Sequence, residues 1–347
     1  MLSPCAPIMS TPRITLMAAL CAAVLPAYAE TSVSSAPHGV MSANLPVGAT
    51  GLSFPLLASV FEGRIAANTP AMITFENNGL AASLTAGVEY YLEIIDGPFE
   101  GERFDLNTAA TRGSGKAKIE TGALSHTTLK SLKKDQLIGA RAVVRPHLTL
   151  GRLGEMFSPT LSGHLLLTLS DTVQIHGEGL GIETYFYRPD GSWRLAHIGP
   201  RMDDKVIPPD VSVVVLLRSG AKRWTHLGEV RTNAFRKNLS VGLQSFATGF
   251  PMDLSAVQIG AFVDPQTPVA WRWTGSDQAW KADTLSVFDN ATALYHSYYL
   301  RGNGTSWFPE GGSIDVSARP FLSAQSAILL ERKKSDPGYL IVRPYGL

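Results

Sequence analysis

The chain has 347 residues, with 30 Lys and Arg against 29 Asp and Glu. Charge this balanced excludes the broad basic surface that nucleic-acid binding requires. Both cysteines, Cys5 and Cys21, lie near the N-terminus, so the remainder has no disulfide, zinc-thiolate or catalytic-thiol chemistry.

Arg13 precedes the apolar run 14–25, and Ala27-Tyr28-Ala29 supplies the small residues at which a signal peptidase cuts. This predicts a signal peptide over 1–29, read from Met1 or Met9. Leu20, before Cys21, is too large for lipoprotein processing. No later apolar stretch reaches the roughly 18 residues of a membrane helix, so the mature chain is expected to be exported, to the periplasm, the cell surface or outside the cell, with no transmembrane span. Residues 30–42, rich in Ser, Ala and Pro without a period, read as a flexible leader.

Beyond the leader, short β-branched and aromatic runs are cut by Gly, Pro, Asn and Asp every 8 to 15 residues or about that, the pattern of antiparallel sheets. An all-β fold is expected. Segments 58–65, 71–75, 89–95, 103–106, 117–120 and 136–145 read as six strands, with turns at Gly97, Gly101, Gly113 and Gly115. They suit a small closed β-barrel over 43–147.

Two related antiparallel β-modules follow, at 148–232 and 238–347. Asp171-Thr172-Val173, Tyr185-Phe186-Tyr187-Arg188, Asp190-Gly191-Ser192-Trp193 and a strand ending at Arg218 return as Asp283-Thr284-Leu285, Tyr298-Tyr299-Leu300-Arg301, Asn303-Gly304-Thr305-Ser306-Trp307 and a strand ending at Arg332. The spacing from Trp193 to Arg218 equals that from Trp307 to Arg332, which marks a duplicated unit. A second echo sets Gly51-Leu52-Ser53-Phe54-Pro55 against Ala247-Thr248-Gly249-Phe250-Pro251. It implies that the first copy is interrupted by the barrel, so that the segment near Phe54 packs with residues 160–232.

The order Gly242-Leu243 with Phe250-Pro251, then Asp283 to Asp289, Tyr298-Tyr299, Trp307 and the strand ending at Arg332 resembles a family of uncharacterised exported proteins known chiefly from Verrucomicrobia. Gly97-Pro98, Gly101, Phe104-Asp105 and Arg145-Pro146-His147 fit the same pattern. The resemblance spans the mature chain and implies export and a β-rich modular fold, with no activity or site residues to carry over. Pro209-Asp210-Val211-Ser212 and Ser323-Ala324-Gln325-Ser326 stand where members tend to have Pro-Gly-x-Gly or Gly-Gln-x-Phe.

Three functional readings remain. In the first, the modules are structural or adhesive, non-catalytic units of the envelope or extracellular space. In the second, the module edges bind a glycan or envelope polymer through Tyr185, Tyr187, Trp193, Arg194, Tyr298, Tyr299, Arg301 and Trp307, since flat rings pack on sugars and Arg, Asp190 and Asn303 reach hydroxyls. Exposure of Trp193 and Trp307 is what that reading needs. In the third, a hydrolase draws on His176, Glu178, Asp203 and Asp204, with Glu183 nearby. His-x-Glu alone falls short of a zinc ligand set, and adjacent carboxylates on an extended segment point to opposite faces. His147, His164 and His226 have no sequence context that makes a base. No metal site and no cofactor are expected. The glycine-rich 177–181 stretch reads as a hairpin, and the charged clusters at 130–134 and 332–334 as solvated strand ends.

Overall fold

The computed structural model describes residues 37–120, 126–129, 131–177, 181–196 and 199–345. The expected signal peptide, the start of the leader, Lys130 and Glu178 lie outside them. The protein is all-β, as its punctuated apolar runs predict.

The chain opens with β1 (His38–Leu45), β2 (Gly48–Leu52) and β3 (Leu56–Leu57). A second group comprises β4 (Phe61–Thr69), β5 (Met72–Phe75), α1 (Leu80–Ser83), β6 (Tyr90–Ile94), β7 (Arg103–Leu106), α2 (Thr108–Ser114), β8 (Ala117–Lys118) and β9 (Arg141–Pro146). Then come β10 (Leu148–Thr149), α3 (Leu150–Glu155), β11 (Phe157–Ser158), β12 (Thr172–Gly177), β13 (Gly181–Tyr187), β14 (Trp193–Leu195), β15 (Val206–Ile207), β16 (Val213–Leu217) and β17 (Lys222–Val230). The last group is β18 (Phe235–Leu239), β19 (Gly242–Phe246), β20 (Thr284–Asp289), β21 (Leu294–Leu300), β22 (Trp307–Pro309), β23 (Ile328–Arg332) and β24 (Asp336–Ile341).

Two five-stranded sheets have one topology. The first runs β14-β13-β12-β16-β2 and the second β22-β21-β20-β23-β19. Beside each lies a further matching pair, β1 with β17 and β18 with β24. Thus β2 and β1 belong to the first module although the β4 to β9 insert separates them from it in sequence, and Phe54 joins the first core. The flexible-leader and barrel boundaries shift accordingly. Residues 38–42 are strand, because Met41 and Leu45 alternate into that core while β1 ladders along β17 from His38↔Glu229 to Leu45↔Lys222.

The repeat is off by one residue at its end. Thr172 pairs with Leu216 and Thr284 with Glu331, which sets Leu217 rather than Arg218 opposite Arg332. Equal spacing in sequence therefore conceals a one-residue slip taken up between the Trp and the strand. The slip carries Arg332 into the interior, where it is fully buried, so the 332–334 cluster is not a solvated strand end.

The insert is a curled half-barrel, ordered β7-β6-β9-β4-β5-β8. Among the described residues its outer strands meet at the bridge Leu106↔Ile119, short of the full closure expected. Tyr90, Leu92, Ile94, Phe104, Leu106, Ala142 and Val144 fill its apolar face.

The two modules meet through equivalent strands: β2 packs on β20 and β12 on β19. Gly51 lies against Ala327, while Ser212 Oγ stands 3.1 Å from Ser245 Oγ and donates at 3.1 Å to Ile328 O. In the ladders Gly51 corresponds to Ser245 and Ser212 to Ala327, so the contact is reciprocal, as between two copies related by an approximate twofold. A Cβ on Gly51 would collide with the Ala327 backbone nitrogen. Gly51→Ala is expected to cost about 1–3 kcal/mol through overpacking, whereas Gly113→Ala, whose Cβ meets nothing within 4 Å, should leave stability unchanged or slightly raised. Urea unfolding of the two variants decides whether the module contact is as close as described.

Candidate functional site

The structure places the aromatic edges inside the modules. Trp193, Trp307 and Tyr185 are almost wholly enclosed, because each hairpin folds its Trp beneath the sheet edge. Trp307 Nε1 donates to Ala261 O at 2.5 Å, and its ring stands edge-on to Trp273 at 5.7 Å. Trp193 meets Tyr187 edge-on at 5.2 Å. Tyr299 is buried on the opposite face, and the Tyr298 ring lies tilted against Phe321 with centroids 4.2 Å apart. Enclosed rings offer no platform to a sugar, which corrects the assignment of Trp193, Trp307, Tyr185 and Tyr299 to a binding surface. Arg194 and Arg301 are half-exposed; Arg301 pairs with Asp277 at 3.1 Å and donates to Tyr299 OH.

The carboxylates are likewise engaged. Asp203 Oδ1 accepts the Trp193 N–H at 2.7 Å, Glu183 accepts from Tyr185 OH at 2.8 Å and from Lys205 at 2.9 Å, and Asp190 caps Ser192. No described group of three or more His, Asp or Glu is placed to hold a metal ion.

The densest chemistry lies where the half-barrel meets the modules. Along β6, β7 and β9 the residues that alternate away from the barrel core are Tyr91, Glu93, Arg103, Asp105, Val143 and Arg145. That face is covered by β17, by the 231–234 connection and by β18, so Glu93, Arg103 and Arg145 are buried. Glu93, fully buried, receives Arg145 Nε at 3.0 Å, Asn233 Nδ2 at 3.1 Å and the guanidinium of Arg231. Arg145 also reaches Glu229 of β17 at 2.9 Å. Burial pulls the Arg231 pKa down to about 10. A second cluster joins all three units: Asp210 of the first module accepts from Arg103 of the half-barrel at 3.3 Å and from Lys237 of β18 at 3.0 Å. Burial pushes the Asp210 carboxyl up, but the two cations outweigh it and hold it well below the usual range.

At the end of this seam His147 Nε2 lies 3.0 Å from Asp105, and His126 donates its backbone N–H to the same carboxylate. Burial opposes ionisation of Asp105, yet these contacts keep its pKa low. His126 keeps an exposed edge, but the groups crowding its ring lower its pKa through desolvation. Among the described residues, His147 Nδ1 is enclosed without a partner. Asp105 and His147 form a carboxylate–imidazole contact, and the described residues leave the His147 side chain buried.

In the sequence reading Asp105, Arg145 and His147 belong to the resembled pattern and Asp210 departs from it, but none of the seam residues has a buried ion-pair role there. The available signal was the period of two shared by Tyr91 and Glu93, by Arg103 and Asp105, and by Arg231, Asn233 and Lys237. Asp210 and Ser212, which depart from the resembled pattern, take part in the seam and in the module contact. No protein-family model, curated protein or solved structure matches the chain.

Glu93→Gln leaves the buried Arg231 guanidinium without its carboxylate and Arg145 with Glu229 alone, and should cost about 3–5 kcal/mol of unfolding free energy. Glu62→Gln, which breaks the exposed pair with Arg141, should cost at most about 1 kcal/mol; equal costs would show that the seam is not desolvated. His226, packed on Phe54 and Trp224, has its pKa lowered chiefly by burial. The unfolded side chain therefore takes up a proton near 6.5 before the folded one does, and this contribution to stability is lost as pH falls below that value. Denaturation at pH 7.5 and 5.5, values set by about one unit either side of that pKa, should show a smaller drop in His226→Gln than in the wild type. An equal drop would exclude His226 as the source.

Proposed function

We propose that this chain is an exported, non-catalytic β-modular protein with a structural or adhesive role at the cell envelope or outside the cell. The observation that carries this reading is the use made of the charged residues. Glu93, Arg103, Arg145, Asp210, Arg231 and Lys237 are spent on fixing a half-barrel and two modules in one arrangement, while Glu183 and Asp203 brace the first hairpin. Buried ion pairs of this kind add little net stability against an apolar contact, but they penalise any other docking of the units. That suits a protein whose product is its shape.

The basic and apolar N-terminal pattern with Ala27-Tyr28-Ala29 supports export. Expression in a Gram-negative host followed by fractionation should recover a chain that begins at Glu30 by mass spectrometry, outside the cytoplasm. An unprocessed chain retained in the cytoplasm would overturn the export reading. Binding in a glycan and envelope-polymer screen that is lost in Arg194→Ala/Arg301→Ala would instead favour a lectin-like role through the half-exposed module edges.

A further inference from the structure

Two equivalent loops hold apolar side chains out to solvent on frames braced by their own hydrogen bonds. In the first module the loop leads into Asp171, whose carboxylate accepts Ser162 N and Arg218 N, both at 2.7 Å. Within it, Ser170 Oγ lies within donating distance of His164 O (3.0 Å) and Leu166 O (2.9 Å), while Leu166 N donates to His164 Nδ1 at 3.1 Å. Leu169 N and Ser170 N close a short turn onto Leu166 O and Leu167 O. Leu165, Leu166 and Leu169 stand 62%, 58% and 54% exposed at its tip.

The second module repeats the frame. Asp283 accepts Thr274 N and Lys333 N, Gln278 N donates to Ser276 Oγ, and Lys281 N and Ala282 N close onto Gln278 O and Ala279 O. Here Trp280 projects, 71% exposed, with Lys281 Nζ 4.7 Å from its ring centroid. Exposed leucines cost solubility and contribute nothing to either core, and large apolar side chains gathered in one place on a surface mark a contact site.

We propose that the first loop, with the second as an additional contact, inserts its apolar tip into the interfacial zone of an anionic phospholipid bilayer. Three features favour lipid over a protein partner. The leucines project from a loop tip rather than line a groove, and each carbonyl or N–H that the loop bonds within itself is one fewer to strip of water on insertion. A Trp beside a Lys is the pairing suited to the headgroup region. The rim is cationic: Arg218 is exposed beside the first loop and Lys281 beside the second, residues 161–170 contain no acidic side chain, and Asp277 is paired with Arg301. The inference rests on the loops alone and holds whether or not the export reading does.

The test is co-sedimentation of the full chain with vesicles of phosphatidylglycerol and phosphatidylethanolamine, beside vesicles of phosphatidylcholine. Leu165→Ser/Leu166→Ser/Leu169→Ser, which alters only exposed positions and is checked for fold by circular dichroism, should weaken binding to the anionic vesicles by tenfold or more, on the order expected for losing three inserted side chains. The indole introduced by Leu166→Trp should shift its emission to the blue on those vesicles and be quenched by brominated lipid. Lack of binding by the wild type, equal binding by the triple variant, or an unshifted indole would each overturn the proposal. A wild-type dimer that the triple variant converts to a monomer, with no vesicle binding, would assign the loop to a second copy of the chain.

Discussion

One buried carboxylate shared by two guanidiniums governs how the parts of this molecule sit together. Glu93 comes from the middle of a half-barrel strand, Arg145 from the neighbouring strand, and Arg231 from the connection between the modules. A carboxylate without water must be matched in place, and so must each guanidinium. The three side chains therefore admit one docking geometry. Asp210 repeats the device a few residues along the seam, with one cation from the half-barrel and one from the second module. Apolar packing could join these surfaces with as much affinity, but with less discrimination between registers.

The duplication supplies the second constraint. Each module has the same five-strand order and its own core, and the two cores meet through strands that correspond to one another. The insertion of a half-barrel into the first copy leaves its pairings intact because β2 still ladders with β16 from Leu52↔Val213 to Gly48↔Leu217. Long connections cost little once their ends are fixed by such a ladder. The insert then becomes the third body of the seam, and its outward strand faces, which an isolated barrel would leave wet, acquire partners.

Against this rigid interior, the two loops before β12 and β20 differ in kind. Their backbone geometry is repeated, down to the aspartate that receives the flanking N–H groups, whereas their tips are free to vary: leucines in one copy and a tryptophan in the other. A frame fixed by polar contacts leaves the side chains at its tip available for a surface role without consequence for either core.

The sequence by itself determined the fold class, the duplication and the interrupted first copy. These rest on local signals, such as the period of two, the Asp-Gly-Ser-Trp and Asn-Gly-Thr-Ser-Trp turns and the repeated Phe-Pro segments, that a chain carries without knowing its neighbours. Strand Arg103–Leu106 was legible to the residue, while the strand at Arg141–Pro146 was read too long at its start because the turn before it is apolar. What only the tertiary structure decided is which polar residues are buried. The sequence leaves open whether Trp193 and Trp307 lie at the surface or in the core, and it gives Glu93, Arg231 and Lys237 no reading at all, because alternation reports that a strand has two faces but not whether a second body covers the polar one. Burial is a property of contacts between segments far apart in the chain, and the free energy of an ion pair depends on the water those contacts exclude.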